Sequence, residues 1–389
     1  MSVRADPDLL LEIQKYGAQG IEACFNCGNC TAVCPLSSSD GSFPRQEIRY
    51  AQVGATDLLL SSKELWLCYY CGECTQTCPR QANPGEFMAA ARRFAVANYD
   101  LSGLAKRLFT SAWFNVIFTL GLAAFFSLFL LSFRQEESVR SLTLWKFIPE
   151  VYVQYLGAFV FAIIGIAGLI GVIRMLRELA RAGRLAYSGV PWTRLNWWGA
   201  FKEAVVVQIL GHQNYRSEDC EAERTTPWPL RKWFMHATLM YGFLGLFAAT
   251  ALDFLFKPVG SSVPLYYPMR LLGTLAGLSL MYGASLAALK RLRAADRSVQ
   301  HSQASDWTFL ALLWLVGLTG FLLESADYIQ PTAMWGYEVL IVHVSLAMDL
   351  LVLLPFTKFA HVFYRAVALY VHALKPVPET VSAEASSAA

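Results

Sequence analysis

Six long apolar stretches decide what this chain can become. Trp113 to Phe133 contains no charged residue. A helix of about 20 apolar residues crosses the hydrocarbon of a bilayer, so this stretch is long enough to span one. Similar stretches run from Val151 to Ile173, Trp233 to Leu252, Leu271 to Leu289, Trp307 to Leu323 and Val339 to Thr357. Charged residues make up only 16% of the chain and mean hydropathy is +0.39, whereas soluble domains carry about a quarter charged residues. The alternative, a soluble helical protein with buried core helices, is disfavoured because the uncharged runs exceed ordinary core helices in length. A net charge of +3 gives no footprint for nucleic acid, and membrane lipid is the expected surrounding.

The connecting segments carry an orientation signal. Arg174, Arg177, Arg181 and Arg184 follow the second stretch, Lys290, Arg291, Arg293 and Arg297 the fourth, and Lys358 and Arg365 the sixth. The opposite connections hold Glu136, Glu137 and Glu150, then Glu324, Asp327 and Glu338. Basic residues stay on the cytoplasmic side, so a multi-pass protein of the inner membrane with both termini cytoplasmic is expected. The first twenty residues carry Asp6, Asp8, Glu12 and Lys15 and lack the apolar core of a secretion signal. The cysteines that follow are therefore expected in a reducing compartment, where metal binding is favoured over disulfides.

Eight of nine cysteines precede residue 79. Cys24, Cys27, Cys30 and Cys34 are followed by Pro35, and Cys68, Cys71, Cys74 and Cys78 by Pro79. Both runs read C-x2-C-x2-C-x3-C-P, the spacing of two-cluster bacterial ferredoxins, in which the fourth Cys of each run serves the other cluster. Three close cysteines reach three corners of a cubane and the fourth corner takes a thiolate from elsewhere. Cys24, Cys27, Cys30 and Cys78 are thus expected on one [4Fe–4S] cluster, and Cys68, Cys71, Cys74 and Cys34 on the second. Gly28 and Gly72 occupy equivalent places where the loop turns close to the cluster. Structural zinc, the rival reading, usually shows two separated Cys pairs. Between the runs, Pro44 suits a first helical position, and Ile48, Ala51, Leu58, Leu59 and Leu60 follow a helical pattern. Cys220 stands apart, with a structural thiol as its expected role.

Histidines in the apolar part are the next candidates, because ionisable residues in spans are costly and usually functional. His236 lies about one turn inside the third stretch. His343 and His361 frame the sixth, 18 residues apart. On one unbroken helix they share a face and are separated by about 27 Å. One then lies near each leaflet, and His236 and His361 approach from two helices to clamp a haem iron at the inner side. His212, in "ILGHQNY", is a further axial or quinone-site candidate, with an ordinary surface histidine as the plain alternative. His212, Asp253 and Glu324 are also candidates for proton handling, each with a structural role as the alternative. Asn196 to Cys220 is too short in its apolar run to span and is placed at the inner interface.

The stretch "PRQEIRYAQVGATDLLLSSKELWLCYYCGECTQTCPRQANPGEF" resembles the small two-cluster C component of heterodisulfide reductase, over about residues 20 to 100, with Trp66 and the linker matching as well as the cysteines. The apolar part resembles the cytochrome b component of membrane heterodisulfide reductase and, more distantly, the gamma component of respiratory nitrate reductase. The resemblance implies one or two b haems. The third stretch departs from that pattern: it has Leu246 and its neighbours where the family often has a second His. Fused in this order, the two parts resemble the C component of the quinone-interacting membrane-bound oxidoreductases of sulfate reducers. That implies two flavin-containing partners like the A component of heterodisulfide reductase, menaquinol as substrate, and adenylylsulfate reductase as the eventual acceptor.

The expected fold is all-α: an α-helical ferredoxin domain over 1–108, a transmembrane bundle of cytochrome b type over 109–375 and a disordered tail over 376–389. The expected function is electron relay from menaquinol through haem b and two [4Fe–4S] clusters. The alternatives are a heterodisulfide-reductase-like component with another acceptor and a haem-free anchor for a ferredoxin domain. Reduction of a disulfide by this chain itself is disfavoured, since adjacent Cys-Cys pairs are absent from its sequence.

Overall fold

The structure, a computed structural model, describes residues 5–37, 41–135, 144–183, 185, 190–217, 226–257, 264, 266–294, 301–329 and 334–376. Cys220, Glu136, Glu137, Arg184, Arg297 and the tail from 377 lie outside the described residues. Regular structure among the described residues is helical, apart from isolated β-bridges at Gly41 and between Leu195 and Pro376. The all-α expectation holds.

Among the described residues, six helices are long and apolar enough to cross a membrane: Ala112–Leu131, Glu150–Arg181, Lys232–Phe256, Pro268–Leu292, Ala304–Tyr328 and Gly336–Phe356. They coincide with the six stretches read from the sequence. Trp113, Leu120, Leu128, Phe159 and Leu278 stand exposed on these helices. A contiguous apolar surface of that kind marks contact with lipid or a partner, and six spans of matching length point to lipid.

The chain forms two compact units. The first comprises Met1–Lys106, Gly168–Ala222 and Ala360–Ala389, and the second Arg107–Ala167 and Glu223–Phe359. In the second unit, the third and fourth spans approach through small residues. A Cβ on Gly242 would lie 2.6 Å from the Leu280 amide nitrogen and 2.9 Å from the Ala276 carbonyl, and one on Gly245 would lie 2.7 Å from the Ala276 methyl. Small residues let membrane helices pack where no hydrophobic force drives them together. Polar side chains bridge other helices. Ser127 of the first span donates to Ser345 of the sixth at 3.0 Å, and Asn115 accepts from Thr308 of the fifth at 2.5 Å.

The sixth span is shorter than the straight helix that would carry both His343 and His361. Its α-helix ends at Leu353, a 3₁₀ turn follows over Leu354–Phe356, Thr357 is extended, and a new helix begins at His361. Pro355 lacks the N–H that would continue the ladder, and its ring clashes with the preceding turn. The Thr357 hydroxyl donates to the Leu353 carbonyl at 2.9 Å and satisfies one of the freed acceptors. The shared helix face and the 27 Å rise expected for His343 and His361 therefore do not apply.

In the first unit the two cysteine runs fold alike. Cys24 and Cys68 are both extended, with φ, ψ of −74°, 119° and −58°, 129°. Two residues on, Asn26 and Tyr70 are left-handed at φ 61° and 59°, and then Gly28 and Gly72 at 89° and 97°. The latter pair opens the one-turn helices Asn29–Ala32 and Glu73–Gln76. The intervening segment is helical over Arg45–Gln52 and Thr56–Leu60, with Ile48, Ala51 and Leu59 buried. Pro44 sits one residue before the first of these helices. Pro84–Tyr99, which starts on Pro84 as first helical residue, forms the centre of the packing. Phe87, Met88, Phe94 and Tyr99 are buried on it, and Arg93 donates to the Tyr16 carbonyl at 2.8 Å.

Candidate metal centres

One pocket of the first unit is lined by Cys24, Cys27, Cys30 and Cys78, and a second by Cys34, Cys68, Cys71 and Cys74. The fold thus gathers the cysteines into the two crossed sets expected from the spacing. Among the described residues, no three His, Cys, Asp or Glu side chains converge as ligands of a single ion. Four cysteines lining one pocket suit the four corners of a cubane cluster. The eight cysteines of the two runs are free thiols. Backbone amides point at their sulfurs: Tyr70 N–H donates to Cys68 Sγ and Ala82 N–H to Cys78 Sγ, each at 3.4 Å. Hydrogen bonds of this kind tune cluster potentials. Burial pushes the Cys74 thiol well up, and charge on Cys68, Cys71 and Cys34 pushes it further. Burial raises Cys30 too, with Cys24 the next cause. Thiolates so crowded need a cation to hold them ionised, and iron in a cluster supplies one. The residues fit the group.

The histidines are distributed over both units. His343 belongs to the second, with its Nδ1 3.0 Å from the Thr319 hydroxyl of the fifth span. That hydroxyl also lies within hydrogen-bond distance of the Leu315 carbonyl at 2.7 Å and the Val316 carbonyl at 3.2 Å. In the tautomer with Nδ1 protonated, the hydroxyl gives its hydrogen to a carbonyl and accepts from the ring, and Nε2 holds the lone pair. A ring orientated through Nδ1–H with Nε2 free to coordinate is the usual state of a metal-ligating histidine. Gly320 leaves room for the ring: a Cβ there would lie 3.2 Å from His343 Cε1. The donor set fits a haem ligand. His236 lies in the first two turns of Lys232–Phe256 in the second unit, whereas His361 opens the helix His361–Ala373 in the first.

His212 is buried in the first unit, in left-handed conformation at φ 50°, after a π-helical turn over Lys202–Leu210. Its Nδ1 lies 3.3 Å from the Leu210 carbonyl, and burial lowers its pKa below the ordinary histidine value. Left-handed non-glycine residues and π-turns both concentrate at functional sites. Of the carboxylates considered for proton handling, Asp253 pairs with Lys257 at 3.7 Å. Glu324 accepts from Thr274 at 2.8 Å and lies 3.8 Å from Arg270. The sequence reading passed over Asp349, fully buried on the sixth span, with neither carboxyl oxygen hydrogen-bonded among the described residues. Its signal was an acid in an apolar stretch, a functional candidate by default.

Residues 93–380 match the family described as citrate utilization protein B. The chain belongs to that family. Residues 20–82 match the 4Fe–4S dicluster domain, which spans both cysteine pockets. The citrate utilization protein B of Escherichia coli is 34% identical over 145 residues, 36% of this chain and 37% of that protein. The C component of the H2:CoB-CoM heterodisulfide, ferredoxin reductase of Methanothermobacter thermautotrophicus is 37% identical over 62 residues, 16% of this chain and 34% of that component. The E component of the dihydromethanophenazine:CoB–CoM heterodisulfide reductase of Methanosarcina mazei is 26% identical over 159 residues, 36% of this chain and 59% of that component. The chain thus spans from about a third to three fifths of the length of these relatives. No solved structure matches. A ferredoxin part like one reductase component is fused to a membrane part like another, as the sequence resemblance implied, and the matches support a membrane electron-relay role.

Two arginines that sequence reasoning did not connect to the clusters lie against the second cysteine loop. Arg92 donates through Nε to the Leu65 carbonyl at 2.6 Å and through Nη2 to the Cys68 carbonyl at 2.5 Å. Arg365 donates through Nη1 to the Trp66 and Cys68 carbonyls, both at 3.0 Å, and its guanidinium lies 4.3 Å from the centre of the Tyr69 ring.

Proposed function

We propose that this chain relays electrons between menaquinol in the inner membrane and cytoplasmic, flavin-containing partners like the A component of heterodisulfide reductase, and onward to adenylylsulfate reductase. The observation that carries the reading is the gathering of eight cysteines into two four-thiol pockets on a chain whose remaining length holds six apolar spans. Cys24, Cys27, Cys30 and Cys78 hold one [4Fe–4S] cluster, and Cys34, Cys68, Cys71 and Cys74 the other. His343 holds a b haem, with His236, His361 and His212 as further axial candidates for one or two haems in all. When bound, these groups supply one-electron steps, which suit a quinol that gives up two electrons and a flavin that takes them.

The protein's own part is position and proton management. Thr319 fixes the His343 ring through its Nδ1–H. The backbone amides of Tyr70 and Ala82 stabilise charge on the sulfurs of Cys68 and Cys78. The basic segments after the second, fourth and sixth spans favour a cytoplasmic placement of both termini, which puts the cysteine pockets on the side of soluble partners. The test is iron and haem content of the purified full chain, with optical spectra before and after a menaquinol analogue. About eight non-haem irons and b-haem bands that the quinol reduces are the expected result. Iron without haem leaves a membrane-anchored ferredoxin, and absence of iron overturns the reading. A second reading, the same relay serving an oxidoreductase of citrate utilization, is favoured by the family match over residues 93–380. Co-purification of the chain with its soluble partner separates the two.

A further inference from the structure

The two cysteine loops share a backbone conformation, and that makes their differences informative. The first residue of each run offers its carbonyl oxygen toward the interior of the unit. At Cys24 that oxygen accepts from the neutral amide of Gln52 at 2.8 Å. At Cys68 the equivalent oxygen accepts from two guanidinium groups, Arg92 and Arg365. Arg92 comes from Pro84–Tyr99, immediately after the second run, whereas Arg365 comes from the helix His361–Ala373, almost three hundred residues away in sequence. Each guanidinium is fixed by a second carbonyl, Leu65 for Arg92 and Trp66 for Arg365.

We propose that Arg92 and Arg365 set the reduction potential of the cluster held by Cys34, Cys68, Cys71 and Cys74, holding it above the value its thiolates and loop alone would give. The inference rests on the cluster reading above. Reduction adds one electron to the cluster, and no bond or proton is exchanged. The reduced form therefore carries one more negative charge, and fixed positive charge beside the loop stabilises it over the oxidised form. Hydrogen bonding matters as well as charge. A guanidinium holding the Cys68 carbonyl also fixes the loop that carries a cluster ligand.

Other charged groups lie near the two sites. Glu73 lines the same pocket and acts in the opposite sense. Arg45 and Arg80 line the pocket of the other cluster. Arg80 is exposed, where water and salt screen it. Arg92 and Arg365 are part-buried, and each is locked by two carbonyl contacts. Lys in place of Arg365 would keep the charge and lose the planar fork that spans two carbonyls. Arg92 and Arg365 are positioning residues, since neither reaches a reacting atom.

The test is a redox titration of the purified full chain followed by electron paramagnetic resonance, with the two cluster signals assigned through Cys30→Ser and Cys74→Ser. Arg365→Gln and Arg92→Gln are each expected to lower the midpoint of the second cluster. The expected change is about tenfold in the reduced-to-oxidised ratio at fixed potential, which is about 59 mV for one electron. The first cluster should titrate as in the parent chain. Arg365→Lys should give a smaller shift in the same direction. Iron bound with both clusters unshifted in the two Gln variants overturns the inference and leaves the cluster reading standing. Equal shifts of both clusters also overturn it, since they report general loosening. A parent chain that binds no iron overturns both. If Arg365→Gln sheds the second cluster, Arg92→Gln and Arg365→Lys decide the matter by the same criteria.

Discussion

Thr319 shows how one hydroxyl selects the chemistry of a ring. With its hydrogen given to the Leu315 or the Val316 carbonyl, it accepts from His343 Nδ1. His343→Ala is expected to remove b-haem absorbance from the purified chain. Thr319→Val keeps the shape and removes the acceptor, and losing such a partner costs about 10–100-fold in metal affinity. Haem titration of the variant should show weakened binding with non-haem iron content unchanged. Unaltered haem affinity would mean that another group fixes the ring. A second residue-scale case is the buried pair of Lys257 and Glu150, 3.2 Å apart with side chains only 4% and 9% exposed. Lys257→Met leaves Glu150 buried without its main cation, which costs ~3–5 kcal/mol. Adding Glu150→Gln should recover much of that loss. Unfolding of both variants in mixed detergent measures the difference.

At the scale of elements, glycine in the third span controls packing. Gly242→Ala places a methyl against the backbone of the fourth span, at distances real Cβ atoms do not show. The two helices must separate, and the variant should lose stability in detergent. Gly121→Ala in the first span meets nothing within 4 Å and serves as the neutral partner. Equal stability of the two variants would show that the third and fourth spans do not meet through Gly242. The six spans were legible because length without charge is a local property. The cysteine repeat was legible because cluster ligation fixes spacing. The break after Leu353 was not, although Pro355 was in view. An apolar run continues through the proline, so hydropathy alone carried the helix past it to His361. The role of the basic residues was also only half legible. Arg174 and Arg365 read as orientation signals, yet Arg174 donates to the Asn98 carbonyl and Arg365 to Cys68. Such contacts join residues far apart in sequence, and no local periodicity records them.

At the scale of the whole molecule, the cluster-bearing unit is assembled from three separated lengths of chain. A division near residue 108 follows composition, because polarity changes there. The packing follows other rules. Trp66 lies 5.0 Å from the Tyr364 ring and Tyr99 5.1 Å from the same ring. Leu67 is buried in a cluster with Ala204 and Leu369. Tyr69 donates to Gln208 at 3.1 Å. Each contact puts a residue from the second cysteine loop, or from the helices that precede and follow it, against segments that come after the second or last spans. The first cysteine loop has a different set: Gln52 reaches the Cys24 carbonyl, and Arg80 lies over Phe25, all within the N-terminal hundred residues. A fragment of residues 1–106 should therefore treat its two clusters unequally. After reconstitution with iron and sulfide, the site of Cys24, Cys27, Cys30 and Cys78 should hold its cluster nearly as the full chain does. The site containing Cys68 lacks Tyr364, Arg365, Gln208 and Leu369, and should lose its iron first. Iron release to a chelator, followed together with alkylation of individual cysteines, resolves the two. Biphasic release, with Cys68, Cys71 and Cys74 alkylated in the fast phase, is the expected outcome. A single slow phase matching the full chain would show that the N-terminal segment is self-sufficient and that the distant segments pack on a site already complete.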